Sequence, residues 1–321
     1  MRLVVLGSGD WGLAIAGALK NCGELRVWAK DKKEMRLAKK ILTAKTTDDV
    51  PIEVKYSQPL LETDILMIAV PSSAMRQVGR EAADFLRKKS LTIVSLSKGL
   101  QQPGFKTMSQ ILTEELPQCK IAVISGPTIA KEVGEGKPAK AILASSDVDC
   151  LMGLKEALAN PFLKFELSLK VVEVEFCAAL KSVIAIGAGI ADGLSLGRNF
   201  IGLLLTYGLH EFITIGRFLG ISTQQVLGIA GLGDLITTSW STDSRNHQFG
   251  YLLAKKVSSK QALKQVGMVV EGIRIAKDVS RLASLNVPVD IFRAIADVID
   301  NPTEQNLGQF VNVVIEHRGV S

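Results

Sequence analysis

Leu3-Val4-Val5-Leu6-Gly7-Ser8-Gly9-Asp10-Trp11-Gly12 is the stretch that decides how this chain folds. Leu3–Leu6 reads as a buried strand, and Trp11–Leu19 reads as the apolar start of a helix. Between them Gly7 allows a tight turn, Gly9 lets backbone approach a pyrophosphate, and Gly12 permits close helix–strand packing. The helix N-terminus adds unpaired N–H groups and a positive dipole end, both suited to phosphate. Glycines alone would mark only a turn. Flanked by strand and helix, they predict a dinucleotide-binding loop to which Gly7, Gly9, Asp10, Trp11 and Gly12 belong.

Outward from this loop the first half alternates strand and helix. Predicted strands are Leu3–Leu6, Leu25–Trp28, Ile65–Val70, Thr92–Leu96, Ile121–Ile124, Ala141–Ala144 and Phe162–Phe165, with helices such as Ser73–Lys88 and Gly104–Leu116 between them. Several strands are unbroken Ile/Val/Leu runs, as expected when both faces of a sheet are covered. The fold class is therefore α/β, a doubly wound and mostly parallel Rossmann-like sheet. From about Val171 long helical stretches replace strand signals. This predicts a dinucleotide-binding domain over 1–168 and an all-helical substrate-binding and catalytic domain over 169–321. A ligand cleft is expected between them, since such sites favour domain interfaces.

At 321 residues and 47% hydrophobic composition the chain can build two substantial cores. The glycine loop interrupts the apolar run at residue 7, which argues against a signal peptide. Phe176–Ala191 carries Lys181, and Ile201–Gly220 carries His210, Glu211 and Arg217. Such charges are costly in lipid, so both read as buried helices of a cytoplasmic protein without integral membrane contact. Cysteines at 22, 119, 150 and 177 and histidines at 210, 247 and 317 show no disulfide or metal-ligand spacing. The net charge of +6 suits phosphorylated ligands as well as nucleic acid. The basic run Lys30–Lys40 lacks interleaved aromatics, and no nucleic-acid module is present.

Ligands of open α/β sheets bind beyond the carboxyl ends of the strands. The loops predicted there are Val70-Pro71-Ser72, Ser97-Lys98-Gly99 and Ser125-Gly126-Pro127-Thr128. Lys98 can neutralise a phosphate or carboxylate. At the end of the second strand, where an acid commonly holds the ribose of NAD, Asp31 is surrounded by Lys30, Lys32 and Lys33. A 2′-phosphate would fit there, leaving NAD and NADP both open.

In the helical half, Leu169–Leu194 is highly apolar, with Glu173 and Glu175 early and Lys181-Ser182 deep inside it. A buried lysine costs several kcal/mol unless paired, and desolvation lowers its pKa toward the range useful for proton transfer. Gly231-Leu232-Gly233-Asp234 supplies a carboxylate able to orient an ammonium, and Ser244-Arg245-Asn246 supplies a guanidinium and two neutral groups for a phosphate. Val269-Val270-Glu271-Gly272 places a carboxylate where a helix would begin.

Taken in order, GSGDWG, VPS, SKGL, SGPTIAKE, ALKSVIAIGAGIADGL, GLGDL, SRN and VVEG closely resemble the NAD(P)-dependent glycerol-3-phosphate dehydrogenases of bacterial type, over nearly the whole chain. The resemblance implies a Rossmann-like domain, a helical domain and a homodimer. It implies reduction of dihydroxyacetone phosphate to sn-glycerol 3-phosphate with NADPH or NADH, supplying glycerophospholipid synthesis. By motif, Asp10, Trp11, Ala130, Val269 and Glu271 would contact the dinucleotide, with Lys30 beside it. Lys98 and Arg245 would meet both cofactor and substrate. Gly126, Thr128, Asp234, Ser244 and Asn246 would contact substrate, and Lys181 would transfer the proton. Ser182 stands where the family often has Asn, and Thr128-Ile129 where Ser-Phe is common. Two other readings stay open on sequence: a related 6-phosphogluconate or 3-hydroxyacid type dehydrogenase for another small anion, and a non-catalytic dinucleotide sensor.

Overall fold

The computed structural model describes residues 1–45, 51–54, 63–86, 90–101 and 104–317, with the side chains of 40–45 and 54 outside the description. The chain divides into two compact units, Met1–Glu175 and Phe176–Ser321.

The first unit is built on strands β1 (Arg2–Leu6), β2 (Glu24–Ala29), β3 (Ile52–Val54), β4 (Ile65–Ile68) and β5 (Thr92–Ser95). A small hairpin follows, β6 (Leu100–Gln101) with β7 (Lys106–Thr107), and then β8 (Lys120–Ser125), β9 (Ala139–Ser145) and β10 (Leu163–Ser168). Eight of these form one sheet in the order β10-β9-β8-β5-β4-β1-β2-β3. Every neighbouring pair is parallel except β8 and β9. Side chains alternate faces along each strand, so Leu3 and Val5 enter one core cluster while Val4 and Leu6 enter the other. Both faces are covered, as the apolar runs require.

Helices α1 (Asp10–Ala18), α2 (Lys32–Lys45), α3 (Met75–Leu86), α4 (Met108–Glu115), α5 (Ala130–Gly134) and α6 (Val148–Ala157) complete the unit. The helix read over Ser73–Lys88 begins with a 3-10 turn at Ser72–Ala74, and its last two residues lie outside the described residues. The helix read over Gly104–Leu116 is corrected at its start. Gly104 and Phe105 have positive φ, and Lys106–Thr107 pairs with Leu100–Gln101. The helix begins only where Thr107 and Gln110 form a reciprocal capping box, satisfying two terminal N–H groups. Strand β3 and the hairpin are too short to register as periodic runs.

The second unit is helical. It takes up α7 (Val171–Gly193) from Phe176 onward, followed by α8 (Gly197–Phe218), α9 (Thr223–Leu227), α10 (Asp234–Trp240) and α11 (Arg245–Ala254). Then come α12 (Ser259–Val266), α13 (Glu271–Ser280), α14 (Asp290–Asp300) and α15 (Glu304–Ile315). By length and composition α7 could cross a membrane, yet its apolar window is wholly buried within the protein.

Two buried glutamates each cap a helix from elsewhere in the chain. In the first unit Glu175 accepts from the Ser109 N–H at 3.0 Å and from its hydroxyl, at the start of α4. In the second unit Glu211 accepts from the N–H groups of Ile291 and Phe292 at 2.8 and 3.1 Å, at the start of α14. The caps satisfy orphan donors, but burial outweighs them and pushes each carboxyl from 4.5 up to about 7. A carboxyl with a raised folded pKa favours the native state when protonated. Its contribution is full below 4.5 and is lost as pH rises through about 7. We predict that the melting temperature falls less steeply across this window in Glu211→Gln than in the wild type. Equal slopes in pH-dependent thermal melts would contradict the assignment.

Candidate functional site

The glycine loop has the geometry its spacing predicts. Gly7 sits at φ +115°, and its N–H donates to the Trp28 carbonyl at 2.9 Å. A Cβ at Gly12 would lie 2.0 Å from the Gly7 carbonyl oxygen, so the first turn of α1 rests directly on the loop. A Cβ at Gly9 would meet nothing within 4 Å. That open space lies at the N-cap of α1, which no side chain caps, while Ser8 Oγ and Trp11 Nε1 are buried without a hydrogen-bond partner. Unfilled donors, orphaned polar atoms and room beside a bare backbone suit a pyrophosphate.

At the end of β2, Asp31 is already engaged. Its carboxylate accepts from the N–H groups of Lys33 and Glu34, both at 2.9 Å, and so starts α2. The Glu34 N–H, followed by that of Lys33, holds the carboxyl below the usual range. The Lys30 N–H in turn donates to Glu34 at 2.5 Å.

The three strand-end loops are tied to one another. Ser97 Oγ donates to the Val70 carbonyl at 2.6 Å, linking SKG to VPS. The Gly126 carbonyl accepts from Lys98 Nζ and from Thr128 Oγ1, both at 3.1 Å, linking SKG to SGPT. Ala130 opens α5, which packs on α1. Lys98, Gly126 and Thr128 thus form one cluster at the ends of β5 and β8.

In the helical unit Lys181 is 4% exposed and points its ammonium at Asp234 and Thr238. It donates to Asp234 Oδ1 at 3.0 Å and to Thr238 Oγ1, and Thr238 donates to the same aspartate oxygen at 3.2 Å. A π-helical turn over Ile229–Gly233 delivers Asp234 to the start of α10. Gly231 makes this turn possible, because a Cβ there would fall 2.0 Å from the Val226 carbonyl oxygen. Such π turns recur at functional sites. Thr238 escaped the sequence reading. Its signal was there: it lies four residues after Asp234, on the same helix face.

The SRN and VVEG segments meet. Ser244 caps α11, its hydroxyl accepting from the His247 N–H at 3.3 Å. Arg245 is exposed, and its Nη1 donates to the Val269 carbonyl at 3.3 Å. Asn246 Oδ1 accepts from the Gly272 N–H at 3.2 Å, and Glu271 is the first residue of α13. A Cβ on Gly272 would lie 2.8 Å from both Asn246 Oδ1 and the Ser182 carbonyl oxygen. The residue after Lys181 therefore abuts SRN and VVEG.

Residues 2–151 match the family model described as NAD-dependent glycerol-3-phosphate dehydrogenase N-terminus, and residues 170–307 match its C-terminus. The chain belongs to the NAD-dependent glycerol-3-phosphate dehydrogenase family. It is 37% identical over 310 residues to a glycerol-3-phosphate dehydrogenase [NAD(P)+] of Fusobacterium nucleatum, covering 93% of this chain and 92% of that protein. A protein of the same name from Thermoanaerobacter sp. is 36% identical over 296 residues, covering 89% and 88%. Among solved structures, the glycerol-3-phosphate dehydrogenase of Coxiella burnetii superposes with a TM-score of 0.87 at 27% identity over 99% of each chain. Membership favours the glycerol-3-phosphate dehydrogenase reading over the other-substrate and sensor readings. Among the described residues no group of three or more His, Cys, Asp or Glu could hold a metal ion.

The open space at Gly9 makes a testable distinction. Gly9→Val should leave the fold intact yet weaken NADPH binding by about tenfold or more, or at least about 1.4 kcal/mol. A melting curve with a fluorescence titration of NADPH would check it, and unchanged affinity would count against the loop's role.

Proposed function

We propose that this NAD(P)-dependent oxidoreductase reduces dihydroxyacetone phosphate to sn-glycerol 3-phosphate, with Lys181 as the proton donor. The observation that carries the proposal is a buried ammonium, held by Asp234 and Thr238, on a helix whose next residue abuts the SRN and VVEG segments. Gly7, Gly9, Asp10, Trp11 and Gly12 would hold the dinucleotide, with Lys30, Lys98, Ala130, Arg245, Val269 and Glu271 completing its contacts. When bound, the nicotinamide supplies the hydride that C2 of the substrate receives.

Negative charge then develops on the C2 oxygen. The Lys181 ammonium stabilises that charge and delivers its Nζ proton to the oxygen; in the reverse direction the neutral amine takes the proton back. Asp234 and Thr238 fix the direction of the Nζ–H bonds, so that orientation is set before substrate arrives. Arg245 suits the substrate phosphate because a guanidinium binds it bidentately, and Ser244 and Asn246 add neutral hydrogen bonds. Lys98, Gly126 and Thr128 are assigned the remaining substrate contacts from the α/β unit.

Near the second strand's end Lys30, Lys32 and Lys33 stand beside the carboxylates of Asp31 and Glu34, and both N–H groups that Asp31 caps go to its Oδ1. This supports acceptance of NADPH alongside NADH. The resemblance supports a homodimer and a role in supplying glycerophospholipid synthesis. The burial of its long apolar helix fits a cytoplasmic enzyme.

Oxidation of NADPH, and separately NADH, with dihydroxyacetone phosphate tests the reaction. Absence of turnover in a folded protein that still binds NADPH would overturn it. Lys181→Ala should lose about 10²–10⁴-fold in kcat while retaining NADPH binding, the range for removal of a general acid. Near-normal turnover would reject the role. Arg245→Ala should raise the KM for dihydroxyacetone phosphate roughly 10- to 100-fold, in keeping with loss of a charged hydrogen bond of about 1.5–3 kcal/mol. An unchanged KM would remove Arg245 from the phosphate site.

A further inference from the structure

Asp192 and His247 lie outside the proton chemistry, yet they join the helix of Lys181, α7, to the helix that opens on SRN, α11. His247 is 4% exposed, and its Nε2 sits 2.8 Å from Asp192 Oδ2 on α7. The other Asp192 oxygen faces the Arg198 guanidinium at 3.8 Å. His247 is also the residue whose N–H donates to Ser244, so its backbone closes the SRN turn while its ring reaches the lysine helix.

Around this pair the two helices touch backbone to backbone. A Cβ on Gly189 would lie 2.0 Å from the His247 carbonyl oxygen, and one on Gly250 would lie 2.0 Å from that of Ile186. Contacts so close fix the spacing of α7 and α11. They have no hydrogen bond of their own to fix the register, and a slip of one residue along a helix is about 1.5 Å. The Asp192–His247 hydrogen bond is the directional contact on the SRN side of that crossing, while Lys255 Nζ donates to the Gly193 carbonyl at 2.6 Å where both helices end. Such a slip matters, since misplacing a binding group by about 1 Å can cost about 10²-fold.

We infer that Asp192 and His247 are positioning residues for the substrate phosphate. They pin α11 against α7, and so set Ser244, Arg245 and Asn246 at a fixed distance along the helix from Lys181. The inference rests on the phosphate role proposed for SRN. A pin that only stabilised the fold would alter melting without altering substrate affinity, whereas one that sets register acts on KM.

The test is steady-state kinetics on the full-length chain with dihydroxyacetone phosphate and NADPH, alongside melting curves. His247→Leu should raise the substrate KM about tenfold while kcat stays within about twofold, the pattern of lost substrate positioning. His247→Gln, whose amide can still donate to Asp192, should recover most of that loss. Asp192→Ala removes the acceptor at the other end and should raise KM in the same direction. It carries the test if His247→Leu does not fold. An unchanged KM in either folded variant, a fall in kcat alone, or a His247→Gln no better than His247→Leu overturns the inference. A wild type without turnover overturns the proposed reaction itself, and the inference with it; an active wild type with unaffected variants overturns the inference only.

Discussion

A lysine ammonium buried in an apolar helix must be paired, and much of the helical unit is arranged around that requirement. Desolvating a charge costs several kcal/mol unless neighbours replace its water. At Lys181 they are Asp234 and Thr238, both on α10 and four residues apart. Bringing α10 to the right place takes the π turn over Ile229–Gly233, and that turn tolerates no side chain at Gly231. Thus a single charge accounts for a helix irregularity, a glycine and two polar side chains inside a hydrophobic core. It also means that the orientation of the ammonium is set by the fold itself.

The α/β unit works under a steric constraint instead of an electrostatic one. The Gly12 Cα hydrogen occupies the only space between α1 and the Gly7 carbonyl, while Gly9 faces an opening. Identical residues two and five positions apart therefore have opposite duties, closure at one end of the loop and clearance in the middle. The strand-end loops repeat the theme with polar ties, since the Gly126 carbonyl gathers Lys98 and Thr128 and the Val70 carbonyl gathers Ser97.

Much of this was legible in the sequence because the signals were local. Short apolar runs located all but the shortest strand of the main sheet, and the glycine spacing located the turn between β1 and α1. The lone lysine in a run of Ala, Ile and Gly identified itself by its cost. Features that depend on partners distant in sequence were not legible. Glu175 and Glu211 read as ordinary helix residues, yet each caps a helix that is 66 or 80 residues away. Strand β3 has three residues, too few for a period to register. The start of α4 was misjudged because positive φ at Phe105, a residue that rarely adopts it, left no mark in composition. Thr238 was passed over because a threonine in a helix is unremarkable until its partner is known.

The antiparallel pairing of β8 with β9 has a consequence for how this protein can change over time. Because β10 runs parallel to β9, both strands end at the sheet edge opposite the glycine loop, and α7 starts from there. One rim of the sheet is crowded with loops that hydrogen-bond to one another, where an inserted residue would disturb several partners at once. The other rim holds connections remote from the glycine loop. That margin has ties of its own, between Arg2 and Asp64, Met1 and Glu24, and Lys120 and Asp147, so a change of loop length there is borne by contacts separate from those beside the glycine loop.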